Sequence, residues 1–406
     1  MRPTVLALVA LLAFPALTGI PPAGVASAAT VSYYPGIYHP VDRVRALDTR
    51  NTGAIPAFST VAVRVSGRAE VPAADVVAIS ANLTVLNPGS TGSLSAFADG
   101  TSWSGAATMS FQAGQTAQNF ETIPVIAGMI DIRNNTAGPL NVVVDLLGYH
   151  LYATAGDTKG RYQPMSPTRL LDTRTGQPLA AGDGRNFQVA SVAGIPPVGS
   201  SPGTMAAVLN FTVLSPSQPG SLTVVGGRFS GNTPSLSFAA GQNEQGQILM
   251  GLDDSGALRI VNNSGAAIQV IADAVGYYTG LFLDNDQFFW AGRGWGRVYD
   301  SRAYGSKPVP PGGTVSVDIW SASGKPTRIL TAGSFNVTVL SPTTSGSVSV
   351  WPNGDLWDGA GTVSFTAGKT IQRGLMAKAG EEDVLFRNNS SAPITLIVDI
   401  NGWSTT

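Results

Sequence analysis

Leu171-Asp172-Thr173-Arg174 is one of three versions of the same phrase. Leu47-Asp48-Thr49-Arg50 comes before it and Tyr299-Asp300-Ser301-Arg302 after it. Successive versions lie about 125 residues apart, the size of an ordinary domain and far above the roughly 20–50 residues of a solenoid repeat. The chain therefore reads as three related domains in tandem.

The same landmarks follow each version in the same order. An Asn-x-Thr-Val-Leu strand starts at Asn82, Asn210 and Asn336 and runs into a proline turn. Ser-Phe-x-Ala-Gly starts at Ser110, Ser237 and Ser364. An Asn-Asn pair then leads into an apolar run ending in Asp-x-x-Gly-aromatic, at Asp145, Asp273 and Asp399. In repeat 1 the alternating segments are 61–65, 76–86, 93–97, 108–111, 118–123, 129–133 and 140–149, after the opening Leu47 strand. Eight short strands with turn signals between them predict an all-β fold. Three tandem antiparallel β-sandwich domains of about 120 residues are expected, the jelly roll being one such topology. The missing crossover helices exclude a parallel α/β sheet.

The expected layout is a leader at 1–28, repeat 1 at 33–152, a polar linker at 153–160, repeat 2 at 161–278 and a divergent repeat 3 at 281–406. The stretch Leu281 to Trp290 is more apolar than a free linker and reads as a strand entering repeat 3 against a neighbour. The leader has a single charge at Arg2, an apolar run from Val5 to Leu17 and a small-x-small site at Ala26-Ser27-Ala28. That pattern predicts secretion, with a mature chain beginning at Ala29. The closing residues after Trp403 carry no apolar tail, so membrane insertion is not expected. With no cysteine, extracellular stability has to come from apolar cores.

Pro-x-Arg-Leu-Leu-Asp-Thr-Arg openings and Val-Asp-x-x-Gly-Tyr closings characterise β-rich repeats of secreted actinobacterial surface and accessory proteins. This chain resembles them over essentially its whole mature length. The closest match is Pro167-Thr168-Arg169-Leu170-Leu171-Asp172-Thr173-Arg174 with Ala272-Asp273-Ala274-Val275-Gly276-Tyr277. The resemblance implies non-catalytic modules, sometimes attached to secreted hydrolases. Repeat 3, with Tyr299-Asp300-Ser301-Arg302 and Trp403, departs from it most.

Features present in all three copies are expected to serve the fold. Alternation puts Leu140, Val142, Val144 and Leu146 on one face of a strand and Asp145 on the other, between Val143 and Leu147. That second face is apolar enough to be covered, so the carboxylate needs a partner. Arg50, Arg174 and Arg302 are the expected partners of Asp145, Asp273 and Asp399, because guanidinium meets carboxylate with paired hydrogen bonds. The functional alternative makes Asp48 and Asp145 an acid and base, or a calcium site. Asn-x-Thr is also a glycosylation pattern, but an asparagine bonding a neighbouring turn at a strand start is the expected use. The Asn-Asn pairs read as hairpin turns tolerant of left-handed backbone.

Specificity is sought where the copies differ. Of seven tryptophans, only Trp103 precedes repeat 3. Trp357 occupies a Gly-Asp-Leu-Trp-Asp-Gly loop between Asp355 and Asp358, and Trp351 closes the strand before it. An exposed ring flanked by carboxylates suits a sugar, giving an apolar face for the ring and acceptors for its hydroxyls. The competing reading puts these rings in packing. Asp284-Asn285-Asp286 is either a turn or a calcium ligand run. Two histidines, His39 and His150, neither preceded by a Gly-x-Ser-x-Gly elbow, and no cysteine leave no recognisable triad or metal cluster, so no cofactor or metal is expected. Net charge is −1 without a basic block, so nucleic acid is not an expected partner. The leading expectation is a secreted, non-enzymatic protein that binds glycan or cell-envelope surface. A structural or adhesive spacer that contacts protein partners is the alternative, and a glycoside hydrolase with an unrecognised carboxylate pair the third.

Overall fold

The computed structural model describes residues 34–153, 159–201, 203–226, 234–280, 288–303, 305–322, 329–357, 359, 361–380 and 383–405. The leader, Asp284-Asn285-Asp286 and Asp358 lie outside these residues. Repeat 1 contributes β1 (Tyr34–Asp48), β2 (Thr60–Arg64), β3 (Val76–Leu86), β4 (Gly92–Ala98), β5 (Met109–Phe111), β6 (Ala117–Pro124), β7 (Met129–Asn134) and β8 (Asn141–Tyr152). Repeat 2 follows with β9 (Tyr162–Asp172), β10 (Gly184–Gln188), β11 (Thr204–Leu214), β12 (Gly220–Gly226), β13 (Leu236–Phe238), β14 (Glu244–Gly251), β15 (Ala257–Asn262) and β16 (Gln269–Thr279). Repeat 3 has β17 (Phe288–Asp300), β18 (Thr314–Asp318), β19 (Leu330–Leu340), β20 (Gly346–Pro352), β21 (Val363–Phe365), β22 (Ile371–Lys378), β23 (Asp383–Asn388) and β24 (Thr395–Thr405). The chain is all-β apart from short helical turns.

Each repeat builds two four-stranded sheets in one order. In repeat 1 they run β1-β8-β3-β6 and β2-β7-β4-β5, and repeats 2 and 3 reproduce both orders strand for strand. The alternation read along β8 holds, since Leu140, Val142, Val144 and Leu146 enter a core with Leu83 and Val85 of β3. Leu94 of β4 and Ile130 and Ile132 of β7, from the other sheet, complete that core. Corresponding cores fill repeats 2 and 3.

Three free-standing sandwich domains in tandem are not what the chain forms. Its six blade-like sheets close on one another, and residues 31–406 make one compact unit. Strand β1 pairs with β17, Gly36 lying opposite Phe289, so one sheet of repeat 1 and one of repeat 3 merge into eight strands. Of the apolar entry to repeat 3, residues 281–287 lie outside the described residues, and the backbone at 289–291 pairs with repeat 1. A further apolar cluster draws on all three repeats, with Tyr38, Phe120 and Leu147, then Tyr162, Leu249 and Tyr278, then Ala332 and Met376. Here the second face of the closing strands is covered, as its apolar residues require. The glycine of Asp-x-x-Gly has its reason in the same place. A Cβ on Gly148 would stand 2.2 Å from the Tyr38 ring, and one on Gly276 would stand 2.3 Å from the Tyr162 hydroxyl. Of the expected linker at 153–160, residues 154–158 lie outside the described residues, and its last residue is held by both neighbouring repeats. Gly160 is buried, donates to the Thr279 carbonyl at 2.7 Å and accepts from the Tyr38 amide at 2.8 Å.

The repeats join head to tail, and the ring closes. The serine of Ser-Phe-x-Ala-Gly donates to a glutamine of the repeat before it: Ser237 to Gln118, Ser364 to Gln245, and Ser110 back to Gln372. Strands β6, β14 and β22, each the last in its sheet, meet at the centre. The Gln247 amide acts there like a piece of strand, donating to the Met376 carbonyl at 3.0 Å and accepting from the Met376 amide at 2.6 Å. Arg373 reaches the equivalent backbone carbonyls of all three repeats: Gln245 at 3.3 Å, Gln372 at 3.4 Å and Gln118 at 3.5 Å. It also pairs with half-buried Glu244.

Gln247→Ala should lower stability by roughly 2–5 kcal/mol, because it strips a buried N–H and a buried C=O of partners together. Calorimetry of the parent chain should give a single unfolding transition. Three resolved transitions would mean that the repeats fold independently and that the shared centre contributes little.

Candidate functional site

Strand β1 ends at Asp48, whose carboxylate caps the helical turn Thr49–Thr52 by accepting from the Arg50 amide at 3.2 Å. The next residue's hydroxyl substitutes for a strand. Thr49 accepts from the Val142 amide at 2.8 Å, Thr173 from Val270 at 2.8 Å and Ser301 from Leu396 at 3.0 Å. These hydroxyls start the closing strand of each repeat, and serine does this as well as threonine. Two further residues of the phrase, Asp and Arg, remain to be placed.

The expected pairing of Arg50 with Asp145, Arg174 with Asp273 and Arg302 with Asp399 is corrected. Each of these arginines turns back on the aspartate two residues before it, Arg50 on Asp48, Arg174 on Asp172 and Arg302 on Asp300. The buried aspartates are met instead by Arg45, Arg169 and Arg297. The reason is register, because Arg45 lies directly across the ladder from Asp145, Arg169 from Asp273 and Arg297 from Asp399. Arg45 then bridges to Asp48 at 3.0 Å, which links the two pairs into a four-member Asp-Arg-Asp-Arg chain repeated three times. The Arg50 guanidinium bonds hold the Asp48 carboxyl down at about 2, and those of Arg174 hold Asp172 at about 2. Both are ionised at neutral pH and unsuited to donating a proton. Burial has the upper hand at Asp399, which is raised despite Arg297.

The tryptophan loops are exposed but not free. Trp357 is 40 % exposed and Trp103 41 %. The Trp357 indole donates to Ser349 at 3.0 Å and its ring carries the Arg387 guanidinium at 4.3 Å. Trp103 repeats this with Ser95 at 3.1 Å and Arg133 at 4.5 Å. Trp351 is buried and lies 6.4 Å from the Trp357 ring. Each exposed ring is therefore held on one side by a cation–π contact. Asp355 lines a small cavity together with Trp357, accepts a hydrogen bond from Ser166 of repeat 2, and has Lys378 at 4.0 Å. The sequence held a clue to the stack. Arginine directly precedes the Asn-Asn pair in repeats 1 and 3, where the loop has tryptophan, whereas repeat 2 has Val261 there.

Between repeats 2 and 3 an open cleft of about 910 Å³ is lined by Arg169, Arg174, Asp273 and Gln245 on one side and Ser347, Ser364 and Asn389 on the other. It shares Asp273 and Gly361 with a small adjoining cavity of about 60 Å³ that Trp351, Asp355 and Trp357 line. The structure thus groups Trp351, Trp357 and Asp355 with Asp273 and Arg174, whereas Trp103 belongs to repeat 1.

Three asparagine readings change. Asn82 sits in mid-strand and donates to the Pro234 carbonyl of repeat 2, and Asn336 donates to Ala107 of repeat 1. Both are buried and serve the contacts between repeats. Asn134 is no left-handed turn residue: it is fully buried, and its amide reaches the carbonyls of Ile55, Pro56 and Gly138. A feature of repeat 1 that the spacing of carboxylates did not reveal is Asp131, raised to about 6 by burial and by Asp99 beside it. Among the described residues no group of three or more His, Cys, Asp or Glu side chains could hold a metal, and no helix is long and apolar enough to cross a membrane.

Arg45→Ala should cost roughly 2–4 kcal/mol, since Asp145 is buried and loses both guanidinium bonds. Arg174→Ala should cost less, on the order of 1 kcal/mol or below, because its guanidinium is exposed and Asp172 keeps its bond to Arg169. Equal losses in thermal melts would contradict this division of labour. For Asp131, a folded value of about 6 against the ordinary 3.8 means that stability falls as pH rises through that interval. Asp131→Asn should therefore raise the melting temperature at about pH 8 and leave it nearly unchanged at about pH 3.

No protein-family model and no curated protein matches the chain. Among solved structures, a protein described under the triple jelly roll fold and turret assembly of an archaeal virus is 12 % identical, with 92 % of this chain and 90 % of that one covered and a TM-score of 0.17. A second, from Sulfolobus turreted icosahedral virus, is 11 % identical, with 93 % and 90 % covered and a TM-score of 0.18.

Proposed function

We propose that the chain is an exported, non-catalytic protein that binds saccharide, on a cell envelope or an extracellular polysaccharide, in the cleft between repeats 2 and 3. The observation that carries this reading is the lining of that cleft. Guanidinium, carboxylate, amide and hydroxyl groups face one open space of about 910 Å³, with the Trp351 and Trp357 pair adjoining it. Fixed donors beside fixed acceptors suit sugar hydroxyls, which do both. The charged leader, apolar run and Ala26-Ser27-Ala28 site support export. Carboxylates pinned by arginine at about 2, such as Asp172, favour binding over hydrolysis. We read each repeat as a jelly-roll sandwich fused into the ring. The strand orders first-eighth-third-sixth and second-seventh-fourth-fifth support this, as do the cores shared between the two sheets.

An adhesive surface that contacts protein partners is the second reading, favoured by Leu356, 96 % exposed at the tip of the tryptophan loop. The two readings separate in a pull-down of the exported chain on cell-wall and extracellular polysaccharides. Retention by polysaccharide is expected, and Trp357→Ala should weaken it by up to about 10-fold if the ring contributes an aromatic contact. No retention on any polysaccharide, with binding to a protein partner that Leu356→Ser removes, would replace the saccharide reading by the adhesive one.

A further inference from the structure

We propose that the chain carries three saccharide sites, one at each seam of the ring, and that their ligand is a neutral, polyhydroxylated chain. This rests on the saccharide reading above. The seam between repeats 2 and 3 sets the pattern. Asp273 lies between Asn210 and Arg169 on the sheet ladder, and Gln245 accepts from Ser364 across the seam at 2.7 Å. Facing them, Asn389 holds Ser347 at 3.1 Å and Ser349 at 2.7 Å.

The other two seams repeat these ladder positions and the serine-to-glutamine contact, with a loop carbonyl of the neighbouring repeat, Pro234 or Ala107, seated on the asparagine. Between repeats 1 and 2, Asp145 lies between Asn82 and Arg45, and Gln118 accepts from Ser237 at 2.8 Å. Asn263 there holds Ser221 at 3.5 Å and Thr223 at 2.8 Å. Where repeat 3 returns to repeat 1, Asp399 lies between Asn336 and Arg297, and Gln372 accepts from Ser110. Asn135 holds Ser93 at 3.3 Å and Ser95 at 2.9 Å.

Folding accounts for most of these groups, but not for Arg50, Arg174 and Arg302. Each bonds an aspartate only two residues away, and their side chains are 54 %, 53 % and 34 % exposed. In each pair the guanidinium end is open to water while the aspartate is only 7 %, 12 % and 15 % exposed and keeps a second arginine. Losing the outer arginine is therefore expected to cost little stability. Yet all three repeats keep the arginine, and Arg174 lines the cleft. Its carboxylate partner holds the guanidinium at a fixed position and angle. A ligand approaching from the seam therefore meets an oriented donor without paying to order it. Two arginines and two aspartates per cluster leave no net charge, which favours a neutral polyol over an anion. Three such sites on one rigid ring let a single polymer engage several at once, which can raise its affinity by about 100-fold or more over one site.

The test is calorimetric titration of the exported chain with maltohexaose, cellohexaose and chitohexaose, followed by the parent polymers. Binding of a hexaose with a stoichiometry near three is expected. Arg50→Gln, Arg174→Gln and Arg302→Gln should each lower the stoichiometry by one with little change in melting temperature, and the triple variant should lose the tight polymer binding. A stoichiometry of one that only Arg174→Gln abolishes would overturn the three-site inference and leave the saccharide reading standing. Failure of the parent chain to bind any of the three hexaoses or their polymers would overturn both.

Discussion

Every sheet in this protein has an edge, and three of those edges meet at one place. Strands β6, β14 and β22 would each present unpaired amides and carbonyls to water, which invites pairing with another chain. The chain covers them by turning the three edges toward a common centre. Gln247 pairs with the Met376 backbone as a strand would, and Arg373 caps the equivalent carbonyls of Gln118, Gln245 and Gln372. Closure of that centre brings Ser110, Ser237 and Ser364 to the glutamines of the preceding repeats. It also gives the second face of β8 and its counterparts something to pack on. The ring is therefore one cooperative object whose three local cores are joined by a fourth.

How much of this could be read beforehand depended on the range of each interaction. Strand positions in repeat 1 were legible because a period of two is a local property, and residues 76–86 read from alternation coincide with β3. The face on which Asp145 lies followed from the same parity. Its partner did not follow, because choosing Arg45 over Arg50 needs the register between β1 and β8, and a register shift between Arg45 and Leu47 upsets any count from the motif. The union of repeats was hidden for a similar reason. The serine of Ser-Phe-x-Ala-Gly and the glutamine eight residues after it recur together in every repeat. Their contact is made with the neighbouring copy, and a repeat read by itself offers no sign of that.

The site combines elements that were visible singly. The tryptophan loop stood out by composition and the aspartates by repetition, but only closure of repeat 2 on repeat 3 sets Asp273 in one small cavity with Trp357. Repetition pointed to fold, and the structure assigns much of the phrase to fold indeed. Asp48 caps a turn, Thr49 begins a ladder, and Arg45 neutralises a buried carboxylate. The exposed arginine two residues after the cap is left over by this accounting, which is why the seams merit attention as binding surfaces.

The three repeats are alike but the centre they share is not. Arg373 has Asn119 and Gly246 at its corresponding positions, so one guanidinium, one amide and one bare backbone meet there. A trimer of identical single-repeat chains could form the same ring, but it would place three guanidiniums at one point, where like charges repel in a poorly solvated space. Joining the copies covalently lifts the requirement that a substitution at the centre occur three times over. It allows a charge at a symmetry axis, and it lets each copy acquire residues of its own, as repeat 3 has acquired its tryptophans, while the other two preserve the closure on which all three depend.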